Sequence, residues 1–150
     1  LAKKNNFDLK FIKTSGMINR KISGWISKKI INFIEKNKIK LYQNKILILG
    51  VTYKKNIDDT RESPAFEIIK KLKKKKLDFE FSDPYINKIS IDGTIKRSKK
   101  ITKSLLKKYK VVLIITDHSK FKYDLISKEA KFIFDSRNVI KNRTKNYFKV

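Results

Sequence analysis

The sequence predicts an α/β protein, a doubly wound parallel sheet with helices on both faces, preceded by a helical linker segment. Three observations carry that expectation. Lys45–Val51 (KILILGV) and Val111–Thr116 (VVLIIT) are nearly unbroken apolar runs of strand length, the pattern of parallel strands buried on both faces. Segments with helical periodicity alternate with such runs, which is the order that builds a parallel sheet through right-handed crossovers. Upstream of Lys45 the periodicity is helical alone.

Residues 1–40 read as a helical segment, with Ile18, Ile22, Trp25, Ile26, Ile30, Phe33 and Ile34 recurring as one apolar stripe, and with Gly16 and Gly24 marking kinks or a break. Such a stripe needs a partner surface. Residues 41–150 read as the α/β domain. After the first strand comes a polar loop, then Ser63–Pro64 as a helix cap followed by proline at the first helical position. Phe66, Ile68, Ile69 and Leu72 form the buried face of a helix running to about Lys75. Leu77–Ser82 is the second strand, ended by Asp83–Pro84. Ile86–Ser98 has weak periodicity and is expected to be irregular, with one short strand. A short helix over Thr102–Tyr109 precedes the strand Val111–Thr116, a helix near Lys120–Glu129 follows, then the strand Lys131–Phe134. After Asp135 the sequence reads as loop and tail. This succession is the doubly wound, Rossmann-like arrangement.

Composition limits the chemistry. With 150 residues and 40% hydrophobic content, one core of ordinary size is available. No cysteine is present, so neither a disulfide nor a thiolate nucleophile can come from these residues. No apolar run reaches membrane-span length. The absence of an apolar leader and of cysteine leads to a cytoplasmic expectation. Residue 1 is Leu, which leads to the expectation of a piece of a longer reading frame. The net charge of +25 attracts phosphates of any kind. It consists of 34 Lys against 5 Arg, whereas groove and phosphate readers lean on the bidentate fork of Arg. Lys, Ile and Asn all have AT-rich codons, so base composition supplies much of the bias. A dedicated nucleic-acid surface is therefore the lesser reading.

Ligands of such sheets bind beyond the carboxyl ends of the strands, which places the candidate site on three polar loops. Thr52–Ser63 (TYKKNIDDTRES) carries Lys54, Lys55 and Arg61 and runs into a helix N-terminus. Asp117–Ser119 carries the only histidine, and Asp135–Asn138 (DSRN) carries Arg137. His118 has no visible set of catalytic partners and reads as a cap or hydrogen-bonding residue. Asp58 and Asp59 read as turn formers near Arg61 rather than as an acid–base pair. A G-x-G-x-x-G fingerprint is absent, and only Gly50 lies near the end of the first strand, which argues against this being the main dinucleotide-binding domain.

The run KILILGVTYKKNIDDTRESPAFEIIKKL, followed by DPYI at Asp83–Ile86, VVLIITDHSKF at Val111–Phe121 and FIFDSRNVI at Phe132–Ile140, resembles the C-terminal domain of the UDP-glucose/GDP-mannose dehydrogenase family. Upstream, INRKISGWISKKI at Ile18–Ile30 resembles the family's helix leading out of the central domain. The wording DDTRESPA, DPYI and TDHSKF is most similar to UDP-N-acetylhexosamine 6-dehydrogenases. The resemblance implies a two-step, four-electron oxidation of a sugar C6 alcohol to a carboxylate, with two NAD⁺ and a cysteine that holds the intermediate. It implies an N-terminal domain for NAD, a central region that carries the cysteine and helps form a homodimer, and a C-terminal domain that closes over the UDP-sugar. By motif, Tyr53, Lys54 and Arg137 would face the nucleotide sugar, and Arg61 would approach NAD bound mainly by the other domain. Two alternatives stay open: a basic module for RNA or DNA, and a remnant that only dimerises through its N-terminal helix.

Overall fold

The structure is a computed structural model and describes residues 10–150; the helical expectation for residues 1–9 lies outside the described residues. It contains a long helix α1 (Lys10–Lys36), a single 3-10 turn at Tyr42–Asn44, and then β1 (Lys45–Leu49), α2 (Pro64–Lys74), β2 (Asp78–Ser82), β3 (Lys88–Ile91), β4 (Thr94–Arg97), α3 (Lys103–Lys108), β5 (Val111–Ile114), α4 (Tyr123–Glu129), β6 (Phe132–Asp135) and β7 (Tyr147–Lys149). Five strands form one sheet in the order β2-β1-β5-β6-β7, and every neighbouring pair is parallel. The expected doubly wound α/β architecture is present.

The sheet separates two apolar layers. On one face Ile46, Ile48, Phe79, Phe81, Val111, Leu113 and Phe134 pack with α1 and α2; on the other Leu47, Leu49, Val112, Ile114 and Ile133 pack with α3 and α4. Alternate residues of β1 and β5 therefore enter different cores, which is why these strands are apolar at successive positions. Ser63 caps α2 as expected: its Oγ accepts from the Ala65 N–H at 3.3 Å, and Pro64 follows at the first position. Thr102 caps α3 in the same way, accepting from the Leu105 N–H at 3.1 Å.

Three expectations are corrected. Ile86–Ser98 is not irregular: β3 and β4 form an antiparallel hairpin in which Ile91 faces Thr94 across a two-residue turn. Both turn residues, Asp92 (φ 49) and Gly93 (φ 74), have positive φ, the geometry that matches strand twist and that an Asp-Gly pair favours. The chain beyond Asp135 is not only loop, because β7 adds a parallel edge strand beside β6. The apolar stripe of α1 is not one surface and the helix is unbroken at Gly16 and Gly24. Ile26, Ile30, Ile31 and Ile34 are buried, while Met17, Ile18, Ile22 and Trp25 are about half exposed. No described helix is long and apolar enough to cross a membrane.

Candidate functional site

The chain passes from β1 to β2 on one side of the sheet and returns to β5 on the other, so the direction of winding reverses between β1 and β5. Since all five strands are parallel, their carboxyl ends share one edge, and the loops after β1, β5 and β6 meet there. At the junction itself β1 and β5 approach very closely. A Cβ on Gly50 would lie 2.3 Å from the Thr116 carbonyl oxygen, and Gly50 sits at φ +79. Only glycine fits both conditions.

Below the loops lies a floor of buried polar side chains with their partners in place. Asp83, directly after β2, accepts the Val51 N–H on Oδ2 (2.8 Å) and the N–H groups of Tyr85 and Ile86 on Oδ1 (2.9 and 3.2 Å). His118 is fully buried. Its Nδ1 accepts the Asn56 N–H at 3.0 Å, which assigns the proton to Nε2, and Nε2 lies 3.1 Å from both Asp83 Oδ2 and Thr52 Oγ1. Thr52 gives its own hydroxyl proton to the Lys54 carbonyl at 2.9 Å. Burial works to raise the Asp83 carboxyl pKa, but hydrogen bonds from His118, Val51 and Tyr85 outweigh it and hold the group below the usual carboxylate value. Burial pushes the Tyr123 phenol well above its ordinary value, with Asp117 adding to this, so the phenol is neutral and donates to the His118 carbonyl at 3.1 Å.

A second buried carboxylate shapes the loop after β6. Asp135 accepts the N–H groups of Arg137 (2.9 Å), Val139 (2.8 Å) and Ile140 (3.0 Å), so residues 136–140 wrap around one side chain. Arg137 is thereby aimed back along the sheet edge, where its Nε donates to Asp117 Oδ1 at 3.0 Å. Lys55 reaches the other oxygen of Asp117 at 3.8 Å. The carboxylate of Asp117 therefore ties the loop after β1 to the loop after β6.

The four site residues selected from the sequence are all on the rim. Tyr53 is exposed (43%), and Lys54 Nζ lies 5.5 Å from the centre of its ring. Arg137 joins them through Asp117 and Lys55, the residue after Lys54. Arg61 is not tied into this group: it pairs with Asp59 by two hydrogen bonds of 2.9 Å through Nε and Nη2. The Arg61 contact holds Asp59 down to a pKa of about 2. The turn-forming reading of Asp59 agrees with this arrangement, and so does the hydrogen-bonding reading of His118. Sequence reasoning missed the floor roles of Asp83 and Asp135 and the bridging role of Asp117. A signal was available for the first two: each is an Asp at or just past a strand end, where the next N–H groups of the loop need an acceptor.

Two grooves have no residue of the loops after β1, β5 and β6 in their lining. One runs between α1 and α2 and is lined by Ser27, Lys28, Ile31, Glu35 and Lys71 among others; the other lies between α1 and β7. Neither is lined by Tyr53, Lys54, Arg61 or Arg137.

Residues 47–142 match the model of the UDP-glucose/GDP-mannose dehydrogenase family, UDP binding domain. The UDP-N-acetyl-D-mannosamine dehydrogenase of Methanococcus vannielii is 29% identical over 153 residues, covering 93% of this chain and 32% of its own length. The UDP-glucose 6-dehydrogenase of Rickettsia conorii is 31% identical over 117 residues, covering 66% of this chain and 25% of its own. The native structure of the UDP-N-acetyl-mannosamine dehydrogenase from Staphylococcus aureus matches with a TM-score of 0.69 at 30% identity, over 96% of this chain and 34% of that one. The chain thus spans about a third or less of the length of these relatives. With the matched segment enclosing all three loops of the crevice, the chain belongs to the UDP-glucose/GDP-mannose dehydrogenase family, and Tyr53, Lys54, Arg61 and Arg137 lie within its UDP-binding domain.

Proposed function

We propose that this chain forms the nucleotide-sugar-binding lobe of an NAD-dependent UDP-sugar 6-dehydrogenase, with the ligand held over the carboxyl ends of β1, β5 and β6. The observation that carries the reading is that Asp117 ties the loop of Tyr53 and Lys54 to the loop of Arg137, through Lys55 and Arg137 itself, at the carboxyl edge of a family member's UDP-binding domain. A UDP-sugar brings a diphosphate and a planar base. Lys54 supplies a compact cation, Arg137 a fork that can grip two oxygens at once, and Tyr53 an exposed ring. For Arg137 to reach a ligand it exchanges Asp117 for a phosphate or sugar oxygen. The relatives named for UDP-N-acetyl-D-mannosamine support an N-acetylhexosamine as the sugar.

The described residues do not fit the main grip of NAD. The single glycine at the end of β1 makes room for the Thr116 backbone, not for a pyrophosphate. We assign NAD, and the cysteine of the oxidation, to chain beyond these 150 residues, with the exposed Arg61 as this lobe's contact to NAD. Residues 1–40 then correspond to the end of the central region and residues 41–150 to the nucleotide-sugar domain. The half-exposed Met17, Ile18, Ile22 and Trp25 support packing of α1 on a further domain or on the second subunit of a homodimer.

Titration calorimetry of the 150-residue chain with UDP tests the reading. Weak binding is expected, and Lys54→Ala and Arg137→Ala should each lower affinity about tenfold, the loss of one charge-assisted hydrogen bond. Absence of UDP binding would overturn it. Affinity for RNA that falls steeply with salt and ignores both substitutions would instead favour the nucleic-acid reading.

A further inference from the structure

We infer that His118 is a positioning residue for the ligand loop: through its Nδ1 it fixes the turn that carries Tyr53 and Lys54, and so sets ligand affinity without touching ligand. The affinity part rests on the function proposed above; the loop-fixing part does not.

Both ring nitrogens are engaged and the ring is 0% exposed, so the imidazole is not placed to exchange protons with a ligand. The ring is instead wedged between Tyr85 and Phe121, with centroid separations of 5.0 and 5.4 Å. Its polar contacts join three separate stretches of sequence: Thr52 and Asn56 after β1, Asp83 after β2, and its own loop after β5. The contact with Asn56 is the one that bears on the ligand loop. Asn56 has φ 60, a left-handed conformation that asparagine tolerates better than most residues. In that conformation its N–H points at His118 Nδ1, while its side chain accepts from the Ser119 N–H and donates to Ser119 Oγ, both at 2.9 Å. At the other end of the turn Thr52 is held by His118 Nε2, and its carbonyl accepts from the Thr116 hydroxyl at 2.7 Å. Tyr53 and Lys54 thus lie between two ends that are both pinned to one imidazole. Their side chains are exposed, so packing does not hold them in place. A phenylalanine or leucine could fill the space of the ring, but neither could accept the Asn56 N–H.

Amide hydrogen exchange of the chain without ligand is the first test. In the unaltered protein the Asn56 N–H should be slowed about 100-fold or more relative to an unstructured amide. Unslowed exchange there would overturn the inference without any variant. Two substitutions then separate the two nitrogens. In His118→Asn the side-chain oxygen stands near the position of Nδ1 and can accept from Asn56; in His118→Gln the amide nitrogen stands near Nε2 and can donate only to the Asp83 side. Asn56 exchange should quicken about tenfold or more in His118→Gln and return to within about threefold of the original in His118→Asn. Equal effects of the two would mark His118 as a structural residue alone and overturn the inference.

The affinity arm is a double-mutant cycle. His118→Gln should weaken UDP binding, and adding it to Lys54→Ala should cost little more than Lys54→Ala by itself, since both act through the same loop. Fully additive losses would overturn the inference. If the unaltered chain binds no UDP, the proposed function fails, and the exchange measurements still decide the role of His118.

Discussion

Asp83 and Asp59 are both aspartates beside the same crevice, and both are held below the ordinary carboxylate range, but their surroundings are opposite. Asp83 is 5% exposed and holds together backbone from the ends of β1 and β2 together with His118. Asp59 stands at the rim, where its partner Arg61 has a side chain 87% exposed. An ion pair in water gains little because solvent and salt screen it, whereas a buried carboxylate whose partners are removed leaves desolvated donors behind. The floor of the crevice is thus stabilised by its polar groups. The rim's ion pairs stay in solvent and contribute little.

That contrast predicts a steep ranking of substitutions, with the floor at the top. Gly50→Ala should be the most damaging, because the new Cβ meets backbone rather than a movable side chain. A loss of about 3 kcal/mol or more is expected from combined overpacking and strained φ, read as a lowered midpoint in urea. Asp135→Ala removes one acceptor from three loop N–H groups and should cost about 3 kcal/mol, with Asp135→Asn recovering part of it. If either variant unfolds at the same urea concentration as the original, the floor is not what holds the sheet edge together.

Asp83→Asn comes next, at about 2 kcal/mol near neutral pH. Its signature is the pH dependence. The folded-state pKa of Asp83 lies below the ordinary carboxylate value of 3.8, so its stabilisation is complete above that value and is lost as pH falls through the folded-state pKa. The stability gap between Asp83→Asn and the original protein should therefore close in acid. A gap that stays constant down to pH 2 would contradict the assigned hydrogen bonds. At the foot of the ranking, Arg61→Ala should lower the unfolding midpoint at neutral pH less than any of these, because solvent screens the exposed pair. It should still raise the Asp59 pKa from about 2 toward 3.8, measurable by NMR titration.

The same contrast explains how much could be read from sequence. The rim was legible: Tyr53, Lys54, Arg61 and Arg137 are exposed residues on loops that follow predicted strands, and function depends on residue type at such places. The floor was not, because Thr52, Asp83 and His118 are far apart in the chain and meet only once β1, β2 and β5 are aligned. Secondary structure divided in a similar way. Val111–Ile114 and the Ser63–Pro64 cap declare themselves locally. The β3–β4 hairpin was also within reach, since Asp92-Gly93 is a strong turn signal, but the irregular reading of Ile86–Ser98 passed over it. β7 had no such signal: three residues, Tyr147–Lys149, become a strand because β6 offers them a free edge.

By itself the sequence determined the α/β class, the order of the elements from β1 to β6 apart from the hairpin, and the polar, cation-bearing loops after β1 and β6. Those properties follow from apolar runs, caps and residue types, each of which acts over a few neighbouring residues. Only the tertiary structure decided which stripe of α1 is buried, that one imidazole pins both ends of the turn after β1, and that Asp117 draws Arg137 and Lys55 together. These depend on hydrogen bonds and packing between residues distant in sequence, whose geometry exists only after the sheet has formed.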